Sequence, residues 1–260
     1  KVLVVEDNET NQRVALAVLN KLGIGSEVVS NGLQALQVLR ERDFDLVFMD
    51  CQMPEMDGYE ATRAIRRTET AVRNPNIPVI AMTASAMKEE RQACFDAGMD
   101  DFLAKPVNPS QLDSLVRRWL SQKRAPGPRK QSDAPTANKT DAPEPPSTEF
   151  DEAQFMERLM DDREIGCVLL ETFLSDFSQM MQALTDYAKA SNAEDFRRQA
   201  HSLKGAAAAV SAIRIREIAE AIETETKAGR LADAAEKLGS LQPEFERFRQ
   251  RLAQTGWLAP

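Results

Sequence analysis

The spacing of apolar positions changes once along this 260-residue chain. Up to about residue 120, short β-branched runs alternate with stretches of helical period. The runs at 2–5, 27–30, 46–49, 78–82 and 101–104 read as strands. Between them, 11–21 sets Val14, Leu16, Ala17 and Val18 on one broad face and stops at Gly23, and 33–39 and 61–67 behave in the same way. Five βα repeats in this length predict a doubly wound parallel sheet with helices on both faces, the α/β class.

From residue 150 onward no strand alternation is left. Helical period predicts an all-α unit with helices at 152–159, 162–189, 193–209, 212–228 and 231–252, the last kinked or broken by Pro243. One short and four long helices suggest an antiparallel helical bundle. The two patterns are separated by 121–149, which holds six of the thirteen prolines and no Leu, Ile, Val, Phe or Met. Such a stretch cannot bury a core and reads as a disordered Pro-rich linker. The expected division is 1–121, 122–149 and 150–260. A coil of this length spans roughly 30 Å, which keeps the two units at about millimolar effective concentration.

Composition narrows the function. Lys and Arg number 33 against 41 Asp and Glu, a net charge of −8 with no dense basic block, which argues against nucleic acid and anionic lipid as partners. The longest apolar stretches run to about five residues, far below the roughly 20 that a membrane-spanning helix needs. Three scattered cysteines without CxxC spacing suit a reducing compartment, so a cytoplasmic location is expected. Cys51 and Cys94 are expected as small buried residues, Met49, Met53 and Met56 as packing, and Trp119 as the link between the helix before the linker and the sheet. The chain opens directly on a strand without an initiator Met, so a fragment of a longer protein is expected, with an inner-membrane anchor as one expectation for its parent.

Sites in doubly wound sheets lie at the carboxyl ends of the strands. Read there, the sequence offers Glu6 and Asp7, then Asp50, Thr83 and Lys105 with Pro106. Crowded carboxylates repel, and a hard divalent cation such as Mg²⁺ relieves them. Lys105 supplies a point charge and Thr83 a hydroxyl for phosphoryl oxygens, which is equipment for phosphoryl transfer with Asp50 as nucleophile. The only histidine, His201, falls inside the 193–209 helix. On a helical wheel Phe196, Ala200, Leu203, Ala207 and Val210 form the core stripe, and His201, Lys204, Gly205 and Ala208 a second one. His201 is therefore expected to face solvent or a partner, with an ordinary pKa near 6.5 that leaves it mostly neutral and nucleophilic. Lys204 is expected to neutralise an incoming phosphoryl group, with Gly205 and Ala208 forming a flat docking surface.

The segments VVEDN at 4–8, MDCQMPEMDGYEATRAIR at 49–66, MTAS at 82–85 and LAKP at 103–106 resemble a response-regulator receiver domain, a flavodoxin-like (βα)5 fold. The resemblance implies Asp50 as phosphoacceptor, and Asp7 and the Gln52 carbonyl as Mg²⁺ ligands. It also implies Glu6 as a further acidic contact, Thr83 and Lys105 on the phosphoryl group, Phe102 with Thr83 as the switch pair, and a cis Lys105–Pro106 bond. Gln52 and Ser85 would tune the phosphoaspartate lifetime. AHSLKGAAAAV at 200–210 is similar to the acceptor helix of histidine-containing phosphotransfer (Hpt) four-helix bundles, departing from it at Ala209. Together they resemble the C-terminal part of a bacterial hybrid sensor histidine kinase. Phosphoryl flow would run from an upstream histidine kinase domain to Asp50, then His201, then an aspartate of a downstream response regulator. An intramolecular contact between the two domains is implied as well. Gly23-Ile24-Gly25 is the only GxG and no GxxxxGK[ST] occurs, so ATP-dependent kinase activity would lie outside this chain. Two rivals remain. A haloacid-dehalogenase-like hydrolase would need an acid at Gln52, and a phosphorylation-controlled docking module would leave His201 inert.

Overall fold

The computed structural model describes residues 1–83, 88–122 and 149–258. Most of the Pro-rich stretch, and Ser85, lie outside the described residues. Strands β1 (Val2–Val5), β2 (Ser26–Val29), β3 (Leu46–Asp50), β4 (Val79–Thr83) and β5 (Asp101–Ala104) form one sheet in the order β2-β1-β3-β4-β5, and every pairing is parallel. All four side chains of β1 are fully buried, because a parallel strand covered on both faces has no solvent side. Alternation then splits the core. Val2 and Val4 pack with Val14, Val18 and Leu112, whereas Leu3 and Val5 pack with Leu36, Ile65 and Cys94.

The first of these layers belongs to α1 (Glu9–Lys21) and α5 (Pro109–Gln122), the second to α2 (Gly32–Glu41), α3 (Gly58–Arg66) and α4 (Lys88–Asp96). Asn8, Asn31 and Asp57 cap α1, α2 and α3 by accepting from the backbone N–H three residues on. On α1 the deepest residues are Val14, Ala15, Val18 and Leu19, while Leu16 and Ala17 stay half-buried, so the buried stripe is rotated slightly from the one expected. Strand order reverses between β2-β1 and β3-β4-β5, which opens the switch-point crevice at the carboxyl ends of β1 and β3.

Residues 150 onward are helical, with α6 (Glu152–Arg158), α7 (Arg163–Lys189), α8 (Ala193–Ala209), α9 (Ile213–Lys227), α10 (Leu231–Glu236) and α11 (Leu238–Gln254). Aromatic packing joins α7 to α11, with Phe177 stacked on Phe245 at 3.8 Å between ring centroids and Phe173 edge-on to Phe248. Phe150, Phe155 and Trp257 close one end. The last helix differs from expectation: it breaks at Lys237, and Pro243 sits inside the restarted α11. Proline withholds the N–H that would reach Gly239 and crowds that carbonyl, and a helix that restarts at Leu238 confines the defect to its opening turns. No helix among the described residues is long and apolar enough to cross a membrane.

Candidate functional site

Register builds the first half of the site. Val5 pairs with Met49, so the next residues, Glu6 and Asp50, stand side by side, and Thr83 pairs with Ala104 just before Lys105. The Lys105 ammonium reaches Asp50 Oδ2 at 2.7 Å and Glu6 Oε2 at 2.6 Å. The Lys105–Pro106 bond is cis. One carboxylate oxygen from each of Glu6, Asp7 and Asp50 lies within 4.8 Å of the others. Asp50 also accepts from the Gln52 backbone N–H at 3.2 Å. Glu6 is more committed than expected of an outlying acidic contact, since Asn11 donates to its second oxygen at 2.8 Å and both oxygens are thus held by the protein. Thr83 donates to Glu90 at 3.1 Å. Phe102 is half-buried under the Arg91 guanidinium, 4.3 Å from its ring centroid. Cys51 and Cys94 are buried with their sulfurs 3.7 Å apart, and Trp119 is half-buried and donates to Asp101.

Three acids share one ammonium here. Burial, and then Glu6, push Asp7 up to about 7 and Asp50 well above the usual carboxylate range. Burial pushes Lys105 down, but Asp50 and then Glu6 outweigh it and hold it charged. Hard oxygen donors crowded closely enough to raise one another in this way fit a divalent cation, which would favour their charged forms.

Gly58 sets the loop that follows Asp50. A Cβ at this position would lie 2.0 Å from the Asp50 carbonyl oxygen, backbone that cannot move aside without displacing the carboxylate. Gly58→Ala is expected to destabilise the sheet domain by about 2–4 kcal/mol through overpacking, read as a lower urea midpoint in chemical denaturation.

The second half of the site departs from expectation. His201 is only 7% exposed, because α9 covers it from one side and the sheet domain from the other. Its Nδ1 lies 3.1 Å from Oε1 of Glu223, and Glu223 also binds Lys204 at 2.5 Å and Lys227 at 2.8 Å. Burial pushes His201 below its ordinary value, offset only in part by Glu223. Burial alone would raise Glu223, but its bonds to His201 and Lys204 hold it well below the carboxylate range. Lys204 is thus already ion-paired rather than free for an incoming anion. The expected core stripe of Phe196, Ala200, Leu203, Ala207 and Val210 is fully buried.

The two halves face each other. A cavity of about 90 Å³ is lined by Asp7, Asp50 and Lys105 on one side and by His201, Lys204 and Arg216 on the other. Asn8 donates to Ser202 at 3.2 Å, and Arg197 to the Gln52 side chain at 3.0 Å. Gly205 permits the approach, since a Cβ there would stand 3.0 Å from the Asn11 amide nitrogen. Ala208 also lines the cavity.

Comparison with known proteins assigns both halves. The family profile described as response regulator receiver domain matches residues 2–117, and that of the Hpt domain matches residues 168–254. The chain joins a receiver domain to an Hpt domain. The sensor histidine kinase GacS of Pseudomonas protegens is 40% identical over 136 residues, 52% of this chain and 15% of its own length. Hybrid signal transduction histidine kinase K of Dictyostelium discoideum is 40% identical over 127 residues, 47% of this chain and 10% of its own. The chain thus spans a small part of these relatives. Among solved structures, the receiver domain of a Pseudomonas aeruginosa sensor histidine kinase with a magnesium ion in its active-site cleft is 41% identical, covering 46% of this chain and 96% of that one, at a TM-score of 0.42. The co-crystal of the Saccharomyces cerevisiae phosphotransfer protein Ypd1 with the receiver domain of Ssk1 is 32% identical, covering 47% and 89%, at 0.44.

Sequence reasoning missed Glu223, the residue that organises the Hpt histidine. Its signal was an acid set into the apolar stripe of Ile215, Ala219 and Ile222 on α9, where an ionisable group needs a partner. The interdomain residues Asn8, Asn11, Arg197 and Ser202 carried no comparable signal. Receiver and Hpt domains together, with hybrid kinases as relatives, support a role in two-component phosphorelay.

Proposed function

We propose that the chain relays a phosphoryl group, accepting it on Asp50 from the phosphohistidine of an upstream kinase domain, passing it to His201 and then to an aspartate of a downstream response regulator. The supporting observation is that Asp50 and His201 line one cavity between the two domains. In the first step an Asp50 oxygen attacks phosphorus as the donor P–N bond breaks, leaving an acyl phosphate. In the second, Nε2 of His201 attacks that phosphorus, the P–O bond breaks and the Asp50 carboxylate is restored. Glu223 holds the Nδ1 proton throughout, keeping the Nε2 lone pair available and countering the positive charge that grows on the ring. Lys105, with Thr83, steadies the phosphoryl oxygens beside Asp50. Asp7, Asp50 and the Gln52 carbonyl would hold Mg²⁺, which supplies neutralisation of developing negative charge. Kinase activity towards ATP belongs to other segments of a larger hybrid kinase, of which this chain would be a cytoplasmic part.

A labelling time course tests the reading. With Mg²⁺ and acetyl phosphate, the chain is expected to acquire label first on Asp50 and then, in acid-labile and base-stable form, on His201, and chelation of the cation is expected to suppress both. Label that stays on Asp50 at all times would favour a docking module with an inert histidine.

A further inference from the structure

The receiver touches the Hpt domain at both ends of α1. Asn8 and Asn11 meet Ser202 and Gly205 at the site end, and Lys21, the last residue of the helix, meets the turn between α6 and α7 at the other. A 13-residue helix is about 18 Å long, so the second contact lies well away from the chemistry.

That turn is built to receive a cation. Met160 and Asp161 are consecutive non-glycine residues in the left-handed region, at φ of 54° and 61°. Such backbone is sparsely populated, and it persists where the surroundings hold it. Here it brings two carbonyls onto one ammonium: Lys21 Nζ donates to Leu159 O at 3.0 Å and to Met160 O at 2.9 Å. The Asp162 carboxylate completes the cradle at 3.4 Å, and its other oxygen caps α7 through the Ile165 N–H. Leu159 O already accepts from the Asp162 N–H, but no other hydrogen bond to Met160 O occurs among the described residues.

We infer that the α6–α7 turn is a receptor for a basic side chain at the end of a receiver's first helix, and that Lys21 determines which receiver docks with its aspartate aligned on His201. The inference rests on the relay proposed above. Fixing both ends of α1 fixes the angle at which the strand ends meet α8, and phosphoryl transfer is sensitive to such alignment. A downstream receiver using the same Hpt surface would then carry Lys or Arg at this position and would compete with Lys21 for the turn.

Two measurements on the full chain test it. In Lys21→Met, which keeps the aliphatic stem, the ratio of His201 label to Asp50 label at early times is expected to fall about tenfold, with Lys21→Arg recovering most of it. In Asp162→Asn, which retains a competent helix cap, acylation of Lys21 by a water-soluble N-hydroxysuccinimide ester, read by peptide mass spectrometry, is expected to run about threefold or more faster than in the parent. An unchanged label ratio in Lys21→Met, or Lys21 acylated equally fast in parent and Asp162→Asn, overturns the inference. Protection of Lys21 in a chain whose His201 never takes label would support the receptor and count against the relay.

Discussion

The Asp50→Asn chain is expected to take up no phosphoryl group at either position from acetyl phosphate, although His201 is untouched. The amide is close to isosteric, so Lys105 keeps Glu6 and the strand end keeps its register, but the nitrogen-bearing group offers no nucleophilic oxygen anion. His201 is not expected to substitute, because it is 7% exposed and lines the cavity that Asp50 and Lys105 also line. Both signals should therefore fall at least about a hundredfold together. The complementary His201→Gln chain should keep the base-labile aspartyl label and lose the acid-labile one. Mixing the two variants after labelling the second then separates transfer within one chain from transfer between chains. Acid-labile, base-stable label on His201 in the Asp50→Asn chain would show that the histidine is charged directly and that the proposed order of steps is wrong.

The sheet half of the site was legible because a parallel sheet places chemistry at strand ends. Once five runs were read as strands, Glu6, Asp7, Asp50, Thr83 and Lys105 followed without any contact being known, and strand register is what brings them together. The helical half was legible to within a residue or two at most helix ends, since period and caps such as Asp162 and Asn192 are local. What failed was everything set by long-range packing. A helical wheel shows which face of α8 meets its own bundle, and it cannot show that Glu223, 22 residues on, and a second domain would cover the opposite stripe. Hence His201 was expected to face solvent or a partner with an ordinary pKa, and Lys204 to be available to an incoming phosphoryl group, and Glu223 was not foreseen beside either. Pro243 failed for a related reason: the rule locates a defect, while the break fell at Lys237, where the chain could restart.

Glu223→Gln is expected to slow transfer from phosphorylated Asp50 to His201 by about 10- to 100-fold while leaving the nucleophile in place, since orienting partners of a working imidazole contribute on that scale. The amide can still accept from Nδ1, so geometry alone changes little, but the charge that stabilises a protonated ring is gone. The pH profile separates this from a structural effect. Burial already holds His201 below its ordinary value of 6.5, and Glu223 is what raises it again. Removing the carboxylate moves His201 further down, so the acid limb of the transfer rate should shift to lower pH even as the plateau falls; a merely loosened bundle would lower the plateau and leave the limb where it was. Stability supplies the second sign. Glu223 is held below its ordinary value of 4.5 by His201 and Lys204 despite its burial, so its contribution is full above that pH and is lost on acidification through the lower folded value. At pH 7 the variant leaves Lys204, which is 15% exposed, and the largely exposed Lys227 without their shared anion, and a loss of about 1–3 kcal/mol is expected in urea denaturation. The difference between parent and variant should shrink as the pH is taken below about 4, because the unfolded parent then takes up a proton at Glu223 that the folded chain still excludes. A difference that grows instead would mean that the carboxylate acts through something other than its ionic bonds to His201, Lys204 and Lys227.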